Sequence, residues 1–447
     1  MSGTFVRRTS YGPSSPVVGT RGARTRQQIL DTALQRFTEH GFHGTSMEDI
    51  AAGADTSRAT LYQYFESKEA IFIELMQSAG AALMRLTRRL GPLGPTEEGY
   101  DNLHWWLGEW SWVFDRYSAM FIEWANVNSP KNPLRPLLAQ FNAAHNARLG
   151  TALQLGGIAP ADARTWSNFI NAMANRVNYI RHVYRPGPTD SEMLDSLVTA
   201  LQLTLFPTTP RAIITAGPKS VDRNATPRPA APAVHTIGPL AQVPEAEQTQ
   251  STDPFEGLSS QAARTVRRLL DAASQVFADA GYDVANVDQI VTAAGVSRGT
   301  FYRYFDDKLQ VLTALAGECA TEMSAPFAEL AEYGEHIDPT QLRAWLRWFN
   351  ELHERYGGVL RSWTEGFPVD QAVLAPSRVI ITQLGASVRA MFGPKRDYTL
   401  SRRATGVMLA AMLENYPNEA RGTSQQPPLH QLIEIEALFI ERVLLTR

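Results

Sequence analysis

SRATLYQYFESK (57–68) and SRGTFYRYFDDK (297–308) are identical at seven of twelve positions, at a constant offset of 240 residues. Extended outward, Arg24–Lys68 aligns with Arg264–Lys308 without a gap and with 17 of 45 positions identical. Two copies are too few for a solenoid, whose units need several neighbours to bury their faces, so the repeat is a domain duplication.

Each copy has helical periodicity. Ile29, Leu30, Ala33 and Phe37 recur at i, i+1, i+4 and i+8, and Leu269, Leu270, Ala273 and Phe277 repeat them. Gly41 and Gly281 then stop the first helix. Ser46 and Asn286 are placed to cap short second helices, MEDIAAGA and VDQIVTAA, and Ser57 and Ser297 to cap a third. Two short helices joined by a turn of about three residues form a helix-turn-helix. The second turn, AGVS, offers Gly295 for a left-handed backbone; the first, ADTS, has Asp55 there, a residue less at ease in that conformation. No alternating strand of useful length is found, and the expected class is all-α.

The third helix is rich in hydroxyls and aromatics, a poor choice for a buried helix and a good one for a helix in a major groove. Threonine and tyrosine reach phosphates and thymine methyls, and arginine pairs with guanine. Ala59 and Gly299 keep one point of the helix small for close approach, while Leu61 with Phe65 and Phe301 with Phe305, at i, i+4, anchor it to its own core. The candidate DNA-facing set is Ser46, Ser57, Arg58, Thr60, Tyr62, Gln63, Tyr64 and Lys68 in one copy. In the other it is Asn286, Ser297, Arg298, Thr300, Tyr302, Arg303, Tyr304 and Lys308. Lys68 and Lys308, just past the helix, suit phosphate contacts. The competing reading, aromatics as plain core and lysines as solvated charge, fits one copy better than two with the same spacing.

Both copies resemble the DNA-binding domain of tetracycline-repressor (TetR) family regulators, whose signature ends in Tyr-x-(Tyr/His)-Phe-x-x-Lys; here the strings are YQYFESK and YRYFDDK. The resemblance covers about 50 residues per half. It implies a cytoplasmic transcription regulator, usually a repressor, with a helical ligand-sensing and dimerising domain after each reader, and DNA contact at Thr60, Tyr62, Tyr64, Lys68, Thr300, Tyr302, Tyr304 and Lys308. The chain departs from the family in holding two units. The expected division is a flexible basic arm (1–20), a helix-turn-helix domain (21–70), a sensing and dimerisation domain (71–207), a proline-rich linker (208–257), a second helix-turn-helix domain (258–310) and a second sensing domain (311–447). The simplest arrangement is an intramolecular pseudo-dimer whose readers lie about one DNA turn apart; a homodimer of whole chains is the rival. The readers differ at Ala59/Gly299, Leu61/Phe301 and Gln63/Arg303, so the operator need not be a palindrome.

The totals agree with this. The chain has 447 residues, 44% hydrophobic and 19% charged, enough for several domains. A net charge of −3 argues against indiscriminate nucleic-acid binding, although residues 1–30 carry Arg7, Arg8, Arg21, Arg24 and Arg26 and no acid. No run of about 18 apolar residues would span a membrane. The N-terminus has no secretory apolar region, and the single cysteine, Cys319, allows no internal disulfide; the cytoplasm is the expected location. Residues 208–257 hold eight prolines and one aromatic, so they read as a linker with an end-to-end distance of about 40 Å.

Residues 100–124 contain five of the nine tryptophans, and 345–367 echo them, DRY and Trp124 answering ERY and Trp363. Aromatics at helical spacing commonly make core. The functional alternative is a pocket for an apolar effector in the first half, lined by Trp106, Trp110, Phe114, Phe121 and Trp124. The apolar helices near 196–207 and 433–446, each with the helix before it, would by resemblance form a four-helix interface burying Leu201, Leu205, Leu438 and Val443. No Walker loop, His-Glu-x-x-His, Gly-x-Ser-x-Gly or zinc spacing is present, so neither an enzyme nor a cofactor is expected. Two further readings stay open: a small-molecule or partner-binding protein whose DNA readers are inactive, and an architectural protein that bridges DNA.

Overall fold

The computed structural model describes residues 20–42, 44–122, 135–184, 187–219, 257–282, 284–364, 380, 383–392, 400–422 and 427–445. Most of the basic arm (1–19), Trp124 and most of the expected linker (220–256) lie outside them. Among the described residues every regular element is helical, and none of these helices is long and apolar enough to cross a membrane.

Each half begins with a three-helix head. In the first, α1 (Thr20–His40), α2 (Met47–Gly53) and α3 (Arg58–Tyr64) close over Ile29, Phe37, Ile50 and Leu61. In the second, the repeat set Leu269, Leu270, Ala273 and Phe277 is wholly buried, with Ile290 and Phe301. Gly41 (φ 73°) and Gly281 (φ 80°) end the first helix of each head in the left-handed region, where a side chain is disfavoured.

The first head leads into α4 (Lys68–Arg88), α5 (Glu97–Arg116), α6 (Ser118–Ile122), α7 (Arg135–Leu155), α8 (Pro160–Tyr184), α9 (Asp190–Leu205) and a short α10 (Arg211–Ala216). The second head consists of α11 (Ser260–Ala280), α12 (Val287–Ala294) and α13 (Arg298–Tyr302), and α14 (Lys308–Tyr333), α15 (Pro339–Thr364), α16 (Arg402–Gly422) and α17 (Leu429–Ile440) follow. The linker starts later along the chain than position 208. Ile214 on α10 is buried, Gln202 donates to Thr209 Oγ1 (2.9 Å), and the Lys219 amide donates to Asp101 (2.7 Å), so 208–219 lies against the first half. The apolar pair Ile213–Ile214 supplies the anchor that the proline count hides.

The echo of DRY in ERY is structural. Helix α5 ends at Tyr117 (φ −114°, ψ 28°), and α15 is interrupted at Tyr356 (φ −113°, ψ 15°). Just after each break the chain meets the head of its own half. Ala119 and Met120 enter the first head's core. In the second half a Cβ on Gly358 would lie 2.7 Å from the Phe277 backbone, and Arg361 donates to the Phe277 carbonyl (2.8 Å).

The two halves share one core. Helices α8 and α9 pack against α16 and α17. Phe169 on α8 meets Tyr416 edge-on (5.0 Å between ring centroids) and Phe439 (5.7 Å). Leu197, Leu201, Leu205, Met412 and Val443 are buried around them, while Leu438 is only half-buried. Arg176 pairs with Glu414 across this layer, and Arg442 donates to the Thr204 carbonyl. Phe169→Ala should therefore lower stability by about 3–5 kcal/mol in urea unfolding, because it removes a buried ring touched from both halves.

Candidate functional site

Both heads build the reading helix in the same way. The Ser57 hydroxyl accepts the Thr60 amide (3.0 Å) and bonds the Thr60 hydroxyl (2.8 Å); Ser297 and Thr300 repeat this at 3.1 and 2.8 Å. Ser46 and Asn286 cap the preceding helices in full capping boxes with Asp49 and Gln289. The Ser46 bonds hold the Asp49 carboxyl below its ordinary pKa. Between the helices Asp55 takes φ 49° and Gly295 φ 62°, so one left-handed turn is made once by aspartate and once by glycine. The carbonyl of the residue before each is held from the head's first helix, by Gln28 on Ala54 (3.0 Å) and by Arg268 on Ala294.

Leu61, Phe65, Phe301 and Phe305 are buried, which turns the other side of each reading helix outward. Arg58, Tyr62 and Gln63 are exposed on the first, and Arg298, Tyr302 and Arg303 on the second, with Thr60 and Thr300 half-buried at the edge. Each arginine lies near the ring of the tyrosine four residues on, at 5.6 and 5.8 Å, and pairs with an acid of the preceding helix: Arg58 with Glu48 (2.6 Å), Arg298 with Asp288 (3.3 Å). These pairs are exposed and worth little as stabilisation. A Cβ on Gly299 would meet only Ser297 Oγ, at 3.9 Å, so nothing inside the protein requires glycine there. Glycine in a helix costs roughly 0.5–1 kcal/mol relative to alanine, the residue at the matching position 59.

Some residues expected on the face are turned inward. Lys68 Nζ donates to the carbonyls of Phe42 (2.6 Å) and Thr45 (2.8 Å) and sits over the Phe42 ring at 4.4 Å. Lys308 does the same with Tyr282 (2.8 Å), Ala285 (2.9 Å) and the Tyr282 ring at 4.5 Å. The signature lysine thus clamps the loop between the first two helices instead of standing out toward a phosphate, because those loop carbonyls lack helical partners. Tyr64 and Tyr304 are half-buried and lean on their cores.

The tryptophan-rich segment has divided roles. Trp106, Trp110, Phe114 and Phe121 are all buried, and the rings of Trp110, Phe114 and Phe121 form a mutually contacting cluster, with centroids 5.0–6.0 Å apart. Only Trp110 and Phe121 of these line a cavity of the first half between α7 and α8, about 80 Å³ in volume, while Trp106 and Phe114 do not line it and are core. Trp124 lies outside the described residues. Leu83, Phe141 and Ala172 add to the apolar lining, and polar side chains share the wall: Asn142, His145 and Asn146 from α7, and Asn168, Asn171 and Asn175 from α8. Asparagines at i, i+3 and i+7 of α8 put carboxamides on one stripe of a helix whose other face, with Phe169 and Met173, is core; "NAAHN" and "NFINAMAN" carry that signal at helical spacing.

His145 is neutral in this wall. Asn171 Nδ2 donates to Asn146, so its Oδ1 faces His145 Nε2 (3.1 Å) and the proton sits on Nε2; Nδ1 lies 3.3 Å from the Thr87 hydroxyl, which also accepts the Trp106 indole N–H (3.2 Å). Burial lowers the imidazole to about 4. Among the described residues no group of three or more His, Cys, Asp or Glu could hold a metal ion.

Two copies of a capped helix-turn-helix, each on a helical domain, define a tandem helix-turn-helix protein. A family model described as bacterial regulatory proteins, tetR family, matches residues 29–75 and 269–315. Over 71 residues (16% of this chain, 36% of the relative) the sequence is 34% identical to an uncharacterized HTH-type transcriptional regulator, YdgC, of Bacillus subtilis (strain 168). Over 66 residues (13% and 31%) it is 42% identical to the HTH-type transcriptional regulator RutR of Escherichia coli (strain K12). Over 52 residues (12% and 24%) it is 38% identical to the probable acrEF/envCD operon repressor of the same organism. The chain spans about a third or less of the length of these curated relatives. Each half thus carries the DNA-binding unit that the tetR-family model describes, so that this unit is present twice in tandem.

Two outcomes follow from this geometry. Asp55→Gly should stabilise the protein by about 0.5–1 kcal/mol and Gly295→Asp should destabilise it by at least that much, read as shifts in thermal unfolding. A Cβ at 295 would also meet Arg268 Nη2 at 3.1 Å. His145 is held neutral when folded but takes a proton near pH 6.5 when unfolded. Its contribution is therefore complete above pH 6.5 and is lost as pH falls toward 4, on the order of 2–3 kcal/mol. His145→Gln should remove that part of the pH dependence in urea unfolding at pH 4.5 and 7.

Proposed function

We propose that this chain is a DNA-binding transcriptional regulator acting as a repressor in the cytoplasm, with its two halves serving as an intramolecular pseudo-dimer and a small-molecule effector in the first half modulating DNA binding. The observation that carries the reading is the repetition of one outward face, Ser-Arg-x-Thr-x-Tyr, on two capped helices of a single chain. The shared core of α8, α9, α16 and α17 supports the pseudo-dimer, since a chain so joined can hold two readers at a set spacing. The word repressor in the name of the acrEF/envCD relative supports the direction of control.

In this reading Arg58, Thr60, Tyr62 and Gln63, and Arg298, Thr300, Tyr302 and Arg303, meet double-stranded DNA. Ser46, Ser57, Asn286 and Ser297 order the helix ends that approach phosphates, and Lys68 and Lys308 act by bracing the loop beside them. Gln63 favours adenine and Arg303 guanine, so the two half-sites differ.

Selection from a random DNA pool with the whole protein, at a stated salt concentration, should yield two unlike half-sites centred about 10 base pairs apart and bound by one chain. Arg303→Ala should relax base preference in one half-site and Gln63→Ala in the other, each costing about 1–3 kcal/mol. A strict palindrome bound by two chains would overturn the pseudo-dimer, and the absence of any enriched sequence would overturn the regulator.

A further inference from the structure

The two heads are joined to the rest of the protein in different ways. In the first, Ile29, Ile50 and Leu61 close with Ala119 and Met120 into a core of its own, apart from the large core that the two halves share. Tyr117, half-buried at the break after α5, packs against both cores. In the second head, Leu269, Phe277, Ile290 and Phe301 belong to the shared core itself. Polar bonds reinforce that continuity. Ser274 donates its hydroxyl to the Arg355 carbonyl, and Arg361 donates to the carbonyls of Phe277 (2.8 Å) and Ala278. Each head also has one arginine paired with the helix leading out of it, Arg26 with Glu74 and Arg267 with Glu318 (3.0 Å), so that tie does not distinguish them. A small separate core has little apolar burial to lose and can open while the rest stays folded. A core shared with the body opens only with it.

The reading surfaces differ in charge as well. From the cap of α2 to the signature lysine, residues 46–68 carry Glu48, Asp49, Asp55 and Glu66 against Arg58 and Lys68, a net −2. All four of these acids are exposed. The matching residues 286–308 carry Asp288, Asp306 and Asp307 against Arg298, Arg303 and Lys308, a net charge of zero. Duplex DNA presents one negative charge per about 1.7 Å of its axis, so the first surface is the more strongly repelled.

We infer that the readers divide the work. The second head, continuous with the shared core and the less negative, is the one that holds DNA; the first is a separately opening unit that holds it more weakly and fits itself to the neighbouring half-site. This rests on the DNA-binding part of the proposed function. Two identical subunits would have to share one compromise between grip and freedom, whereas a duplicated chain assigns them to different halves.

The test has two arms, both on the full-length protein. Hydrogen–deuterium exchange without DNA compares the amides of Phe65 and Phe305, both in buried residues and both bonded four residues back at 3.0 Å. After correction for intrinsic rates, Phe65 should exchange at least about tenfold faster than Phe305. Binding to a mixed-sequence duplex at low salt, read by fluorescence anisotropy, compares Arg58→Ala with Arg298→Ala. Both arginines are exposed, so each variant should keep its fold. Arg298→Ala should weaken binding about tenfold and Arg58→Ala about threefold or less. Equal protection at the two phenylalanines, or a loss at Arg58→Ala as large as at Arg298→Ala, would overturn the inference and leave the regulator in place. Absence of binding to any duplex would overturn the regulator and, with it, the DNA-holding part of the inference. The exchange arm, run without DNA, decides in either case whether the first head opens alone.

Discussion

The architecture depends on Phe169 seated between Tyr416 and Phe439. Those two rings come from helices 247 and 270 residues further along the chain, and their contact with Phe169 turns two helical domains into one hydrophobic core. Everything nearer the heads is hung from this layer. The Arg176–Glu414 pair and the Arg442 bond to the Thr204 carbonyl add direction to a contact that apolar burial alone would leave free to slide.

The heads were largely legible in the sequence because their determinants are local. A serine before a helix, a glycine after one and an apolar pair at i, i+4 each act over a few residues, and the duplication repeats every one of them. Even the misfit at Asp55 was readable, since only its place in the turn matters. The lysines were not readable in this way. Whether Lys68 points at a phosphate or at the carbonyls of Phe42 and Thr45 is decided by how α1 folds back over α4, which no spacing encodes.

The sensing region was legible as helices and much less as a cavity. Tryptophan is the conspicuous residue there, yet Trp106 belongs to the core and does not line the cavity, while five inconspicuous asparagines on α7 and α8 share its wall. Helical spacing assigns those carboxamides to one face; only the packing of α7 on α8 shows that the face is turned inward. The same packing gives α8 two duties on opposite sides, cavity wall and seam between the halves.

Gly358 has a consequence for how this protein can change over generations. The second head meets α15 at Gly358 with backbone against backbone and side-chain stem and no room for a methyl group, so at this point its seat cannot be adjusted by exchanging a side chain. The first head rests on Ala119 and Met120, and side chains can be exchanged in small steps. Mutational drift in the angle between the heads should therefore accumulate in the first half, while the second keeps its seat.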